Sequence, residues 1–217
     1  VFNEDDGSWD KGMVKIYDNF ANDFLYPNIN NMLIFAENHD TQRINHVYNN
    51  DIRKYKMAMA VLATVRGIPQ IYYGSEIGMS GNKDNGDADI RQDFPGGWEG
   101  DAINAFIKEE RTPGQNEYFD FTSKLFNWRK NQSAVHFGKM THYIPENNVY
   151  VYFRYNSSEN VMVLINNSNE TKVINTTRFA ENIGTHKSGK DAITEQNIDV
   201  TKEITLEPKS VLILELK

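Results

Sequence analysis

Cysteine is absent from the 217 residues, so the chain has no disulfide, no thiolate nucleophile and no zinc-thiolate site. That absence suits the cytoplasm and equally a bacterial envelope protein that avoids thiols, with the periplasm or exterior slightly preferred. No apolar run reaches the ~18 residues of a membrane-spanning helix. Cationic surface is scarce as well: 23 Lys and Arg face 30 Asp and Glu, a net charge of -7 without a basic stripe, which argues against nucleic acid as a partner. The first residues, Val1-Phe2-Asn3-Glu4-Asp5-Asp6, hold no Met and lack the basic-then-apolar order of a signal peptide. The chain is therefore expected to be a piece of something longer, processing being the other source of such a start.

What is present is the composition of a folded protein, 39% hydrophobic and 12% aromatic, long enough for one large or two modest domains. Between Asp10 and Tyr26, the spacing of Met13, Ile16, Tyr17, Phe20 and Phe24 predicts a helix with one apolar face, stopped by Pro27. Met32 to Ala36 is a short continuous apolar run, the pattern of a strand buried on both faces of a parallel sheet. A helix from a cap at Asp51 to about Arg66 follows, ended by Gly67, and then a second such strand, Ile68 to Tyr73. Strand, helix, strand is the order of a parallel α/β unit.

About forty residues rich in Gly, Asp and Asn come next, too long for an ordinary connection and therefore a candidate functional loop. A further helix is expected over Asn116 to Asn131. Beyond Gly138 short β runs predominate, at Lys139 to Ile144, Val149 to Tyr155, Val161 to Asn166 and Val211 to Leu216, marking a separate all-β unit. Its Asn-x-Ser/Thr tripeptides, among them those at Asn156, Asn166 and Asn175, arise by chance in Asn-rich sequence and carry no functional weight.

The chemistry-bearing segment is Glu37-Asn38-His39-Asp40-Thr41-Gln42-Arg43, directly after the first strand. In parallel barrels the carboxyl ends of the strands hold the catalytic groups. On chemistry alone the segment is equally a plain turn made by Asn38 and Asp40, with His39 hydrogen-bonded and Arg43 a solvated ion-pair partner. The acidic stretch Asp84-Asn85-Gly86-Asp87-Ala88-Asp89 fails the spacing of a calcium-binding EF-hand loop, since Ala88 breaks the alternation of oxygen ligands; no metal or cofactor is expected.

Phe35-Ala36-Glu37-Asn38-His39-Asp40 resembles the Phe-x-x-Asn-His-Asp signature on the seventh strand of the α-amylase family's (β/α)8 barrel. Gly67-Ile68-Pro69-Gln70-Ile71-Tyr72-Tyr73-Gly74-Ser75-Glu76 resembles that family's eighth-strand segment, and the all-β unit resembles its domain C. Gly78-Met79-Ser80-Gly81 and Arg91-Gln92-Asp93-Phe94-Pro95-Gly96-Gly97-Trp98 are similar to the neopullulanase and cyclomaltodextrinase group. The resemblance implies the end of a (β/α)8 barrel over residues 1–137 and an antiparallel β-sandwich over 138–217. It implies an α-glucan as the partner molecule, in a retaining hydrolase acting on starch, pullulan or cyclodextrin.

It also implies roles. Asp40 would be the carboxylate that hydrogen-bonds the sugar ring as the oxocarbenium ion forms, an electrostatic task. His39 would hold the same ring, Asn38 would brace the turn, and Asp87 with Arg91 would grip the ring on the nonreducing side, Arg as a forked donor and Asp as an acceptor. The alternative for the last two is a surface ion pair. Tyr72, Tyr73 and Glu76 receive no role.

A retaining glycosidase needs a nucleophile and an acid/base carboxylate. In the family both come from earlier strands, and neither the Asp-x-x-Arg-x-Asp-Ala type motif nor a strand for the acid/base Glu occurs before Phe35. The chain by itself is therefore expected to be inactive and to need the amino-terminal half of the barrel. The alternative is a noncatalytic carbohydrate-binding or interaction protein, for which Tyr150 and Tyr152 share a strand face that could stack on sugar rings.

Overall fold

The computed structural model describes residues 1–4 and 8–217; Asp5 to Gly7 of the opening segment lie outside them. The first helix, α1 (Met13–Ala21), buries Met13 and Phe20, with Ile16 and Tyr17 packed against the same core. It ends earlier than its apolar spacing predicts: the chain turns through a short 3-10 segment at Asp23–Leu25, and Phe24 is exposed. Strand β1 (Leu33–Phe35) follows, then a short turn of helix, α2 (Ile44–Val47), and α3 (Ile52–Thr64). The Asp51 side chain accepts from the Arg53 amide, the cap expected of it.

Gly67, at φ +100°, turns the chain out of α3 into β2 (Ile68–Gln70), which pairs in parallel with β1 in the register Leu33 to Ile68 and Phe35 to Gln70. A side chain at Gly67 would meet the Met32 carbonyl at 2.7 Å, so only glycine allows the strands this close. The pair is not buried on both faces as its apolar run predicts. Leu33, Phe35 and Ile68 are all exposed, because β1 has β2 as its one hydrogen-bonded neighbour and the described chain lays no further strand against the pair.

The long loop holds two short turns, a 3-10 segment at Lys83–Asn85 and the helical turn α4 (Asp87–Ile90). Its far end is pinned by Arg111, whose Nη1 donates to the Ala105 carbonyl at 3.0 Å and whose guanidinium lies 3.9 Å over the Phe119 ring. Helix α5 (Pro113–Arg129) starts in a Thr112/Gln115 capping box with Pro113 in its first turn, so it begins before the apolar spacing becomes visible. The short α6 (Ser133–Phe137) leads into the β unit.

Strands β3 (Lys139–His142), β4 (Val149–Tyr155) and β5 (Asn160–Asn166) form a meander. After β6 (Lys172–Asn175) and the helical turn α7 (Ala180–Ile183) come β7 (Ser188–Asp191), β8 (Asn197–Asp199), β9 (Glu203–Leu206) and β10 (Ser210–Leu216). The six-stranded antiparallel sheet runs β3-β4-β5-β10-β7-β8, and β6 with β9 makes a small second sheet across from it. Alternation along β4 serves two cores. Val149, Val151 and Phe153 face the second sheet with Ile204 and Leu206, whereas Tyr150 and Tyr152 face the helical layer with Tyr55 and Leu62.

Both tyrosines are fully buried, which removes them as a sugar-stacking surface. Instead they fasten the two layers. Tyr152 hydroxyl lies 2.5 Å from Thr64 Oγ1, Arg154 donates to the Gly138 carbonyl at 3.0 Å, and Arg129 donates to the carbonyls of Ala63 and Gly67 at the end of α3. The Arg129 guanidinium answers the Ala63 carbonyl that the end of α3 leaves open and sits at the negative end of that helix's dipole. Burial lowers the Arg154 pKa to about 10. Among the described residues no helix is long and apolar enough to cross a membrane.

Two stability predictions follow from this packing. Gly67→Ala combines positive-φ strain with a clash against Met32, and should lower unfolding free energy by about 2 kcal/mol, read from the urea midpoint at constant m. His142 is half-buried, stacked 4.6 Å from the Tyr17 ring, with Nδ1 2.9 Å from the Tyr150 hydroxyl, and burial lowers its pKa below the ordinary 6.5. A depressed folded-state pKa gives stability that is complete above 6.5 and declines as pH falls toward the folded value. His142→Gln should flatten the stability profile below the ordinary histidine pKa of 6.5, measured by denaturation at each pH.

Candidate functional site

The carboxyl ends of β1 and β2 are neighbours because the two strands are parallel, and the residues that follow them meet there. After β1 the chain makes a tight turn. Asn38 Oδ1 accepts from the Asp40 amide at 2.9 Å, and the Asn38 amide donates to Thr41 Oγ1 at 3.0 Å. Asn38 therefore shapes the turn with its side chain, and His39 and Asp40 are left outside it, His39 Nε2 lying 3.2 Å from Asp40 Oδ2.

The partner comes from the long loop. Arg91, at the end of α4, places Nη2 2.9 Å from Asp40 Oδ1 and 2.8 Å from Asp87 Oδ2, and its Nε donates to the His39 carbonyl at 2.8 Å. One guanidinium thus binds the turn and its own helical neighbour. Asn38, His39 and Asp40, about fifty residues from Asp87 and Arg91 in sequence, are brought with them into one contact network. The Asp40 side chain is 60% exposed and that of Arg91 40%, so both face solvent beside the strand ends. Lys83 also pairs with Asp87, and this hydrogen bond, followed by the nearby Arg91 charge, holds the Asp87 carboxyl below the usual carboxylate range.

The loop is held against the turn by side chains whose type gave no hint in the sequence. Gln42 donates to Asn82 Oδ1 at 2.9 Å and accepts from the Lys83 amide at 2.8 Å. Asp89 accepts from the Asn82 amide at 2.6 Å, and this bond lowers its pKa. Asp89 is therefore spent inside the loop. Gly81 lies so close to the Asp89 carbonyl that an added Cβ would stand 2.4 Å away. Deeper still, Asn45 donates to the Gly78 carbonyl at 2.5 Å and accepts from the Tyr118 hydroxyl at 2.6 Å.

Two charged residues of the segment lie beneath the turn rather than in water. Glu37 is 2% exposed; it accepts from the Ile44 amide and the Ser75 hydroxyl, and burial raises its pKa against those bonds and against Arg43, 3.8 Å away. Arg43 is 1% exposed, so the solvated ion-pair reading of this residue is incorrect. Its backbone is drawn inward by Gly81, whose carbonyl accepts the Arg43 amide at 3.2 Å, and the guanidinium then lies 3.9 Å from the Tyr72 ring centroid.

The family described as "Alpha amylase, catalytic domain" matches residues 3–171. The chain belongs to the α-amylase family. A second match, "Cyclo-malto-dextrinase C-terminal domain", covers residues 140–215. Cyclomaltodextrin glucanotransferase of Geobacillus stearothermophilus is 32% identical over 146 residues, 67% of this chain and 18% of that protein. Cyclomaltodextrinase of Thermoanaerobacter pseudethanolicus is 29% identical over 136 residues, 63% of this chain and 21% of that protein. The chain thus spans about a fifth of the length of these curated relatives.

Among solved structures, an α-amylase of Geobacillus thermoleovorans complexed with acarbose superposes with a TM-score of 0.72 at 22% identity, covering 93% of this chain and 42% of that one. A γ-CGTase of an alkalophilic Bacillus clarkii gives 0.71 at 24% identity, covering 94% and 29%. The fold is therefore the closing portion of an α-amylase-family barrel followed by the family's antiparallel β-sandwich.

In this α-amylase-family chain the exposed carboxylates of Asp40 and Asp87 flank a forked donor, an arrangement suited to vicinal hydroxyls of a sugar. The Asp40–Arg91 ion pair is solvent-exposed and contributes at most about 1 kcal/mol to folding. Asp40→Asn should therefore move the melting temperature by no more than a few degrees, measured by calorimetry, which leaves this variant clean for tests of function.

Proposed function

We propose that the chain supplies the transition-state-stabilising carboxylate, Asp40, to a retaining α-glucan hydrolase acting on starch, pullulan or cyclodextrin. The observation that carries this reading is the Asp40–Arg91–Asp87 array at the carboxyl ends of two parallel strands, exposed and backed by the Asn38 turn. Asp40 would accept hydrogen bonds from the ring hydroxyls at the cleavage point, and those bonds would strengthen as positive charge develops in the ring. His39 would hold the same ring, and Asp87 with Arg91 would bind the ring on the nonreducing side, Arg91 releasing part of its contact with Asp40 as hydroxyls arrive.

Asp40 would not attack carbon, and neither bond-making carboxylate is assigned to any residue here. The exposed side chains of Leu33, Phe35 and Ile68 support a partner for the strand pair: further parallel strands of the same barrel, carrying the nucleophile and the acid/base. We take residues 1–137 as the barrel portion and 138–217 as the sandwich, and expect the chain by itself not to hydrolyse starch. The relatives act on cyclomaltodextrins by name, and solved neighbours hold acarbose, maltose and maltotriose, which fits an α-glucan as ligand.

The test is turnover of cyclodextrin, pullulan and starch by the full-length protein and its Asp40→Asn variant. Loss of one such electrostatic contact should reduce kcat by about 100-fold or more with folding unchanged. Undiminished turnover would end the assignment. Arg91→Ala should instead raise KM more than it lowers kcat, since it removes a contact made to the bound ring in ground and transition states alike.

A further inference from the structure

We infer that Arg43 is a positioning residue that sets the separation of Arg91 from Asp40, acting through the carbonyl of Ile90. Its guanidinium reaches three elements at once. Nε donates to the Ile90 carbonyl at 2.9 Å, Nη1 donates to the Tyr73 carbonyl at 2.6 Å, and Glu37 Oε1 lies 3.8 Å from Nη1. Two adjacent aromatic rings stand beside the guanidinium, Tyr72 at 3.9 Å and Tyr73 at 4.9 Å from Cζ. Glu37 belongs to the exit of β1, Tyr73 to the exit of β2, and Ile90 to the last turn of α4.

Ile90 is the residue before Arg91, so fixing its carbonyl fixes where the Arg91 backbone starts. From there the Arg91 side chain returns to His39 and Asp40, which stand four and three residues before Arg43. The result is a closed ring: Asp40, Arg91, Ile90, Arg43 and back through Thr41 and Gln42. A ring of this kind transmits geometry because each member is fixed at both ends. Loss of the Arg43 link leaves the Ile90 carbonyl without its buried anchor, and a misplacement of about an ångström is costly at a reacting centre.

The chemistry of the side chain supports the same conclusion. A buried guanidinium is expensive unless its donors are used, yet Nη2 of Arg43 finds no acceptor among the described residues. The group is placed for the carbonyls of Ile90 and Tyr73, in different elements, and not for its own complete satisfaction. Lysine carries the same charge but one nitrogen, and cannot span both carbonyls in the fixed geometry of the fork. The consequence for turnover rests on the reading of Asp40 given above; the mechanical linkage does not.

The linkage is tested in the full-length protein by the exchange rate of the Arg91 Nε proton, followed by 1H–15N NMR. It is protected by its bond to the His39 carbonyl, and Arg43→Lys should accelerate it about tenfold, the ratio corresponding to one hydrogen bond of ordinary strength. The Nε proton of Arg66, bound to Asp23 elsewhere in the chain, should not change. Equal acceleration at both sites, or none at Arg91, overturns the inference, because a merely structural residue would loosen the fold generally. Should Arg43→Lys fail to fold, Tyr72→Leu withdraws the ring under the guanidinium and must give the same selective effect at smaller size, or the inference falls.

In the full-length enzyme a double-mutant cycle supplies the functional arm. Arg43→Lys combined with Arg91→Ala should lose no more kcat/KM than Arg91→Ala does, whereas additive losses refute action through Arg91. An active Asp40→Asn variant would defeat the proposed function and leave the proton-exchange result standing, so the two failures are distinguishable.

Discussion

The central strands of the six-stranded sheet are buried on both faces, and that single constraint organises the molecule. The central strands are therefore apolar at most positions, odd residues serving one core and even residues the other. Val149, Val151 and Phe153 complete the sandwich with the small β6–β9 sheet, while Tyr150, Tyr152, Val161 and Val163 form the floor on which α3 and α5 rest. The helical layer has no separate core of its own: Tyr55, Leu62, Tyr118 and Leu125 belong to the same cluster as the tyrosines of β4.

Polar groups fix how the layers meet. The end of α3 presents open carbonyls to the sheet, and two buried arginines from different elements, Arg129 of α5 and Arg154 of β4, answer them. With Tyr152 on Thr64, this gives the β unit one orientation against the barrel portion, which apolar contact alone would leave free to slide. The site stands at the other end of the same helical unit. A rigid base at the carboxyl-terminal end of α3 and a close β1–β2 pair at Gly67 hold the strand ends whose loops carry Asp40 and Arg91.

Much of the fold was legible in the chain because its signals are local. Asp51 caps α3, Gly67 ends it, and the β runs of the sandwich begin and end within a residue or two of where their branched and aromatic side chains suggest. The misses have physical causes. Helix α1 stops before Phe24 although the apolar spacing continues, since the chain turns there into a 3-10 segment. Strands β6 to β9 are short and carry few apolar residues, and α5 starts at Pro113 on a capping box rather than on periodicity. The strand pair reads as buried but is exposed, because an apolar run encodes the need for cover without saying whether the same stretch of chain provides it.

By itself the sequence determined which residues were candidates: an Asn-His-Asp turn after a parallel strand and an Asp-x-x-x-Arg pair in a long loop, each a short-range pattern fixed by neighbouring residues. Only the tertiary structure decided that these two patterns touch, that Glu37 and Arg43 of the same polar run lie underneath while His39 and Asp40 lie above, and that Tyr150 and Tyr152 are core. The reason is that burial and contact depend on which elements are stacked together, and a polar side chain looks the same in sequence whether water or a distant carbonyl satisfies it.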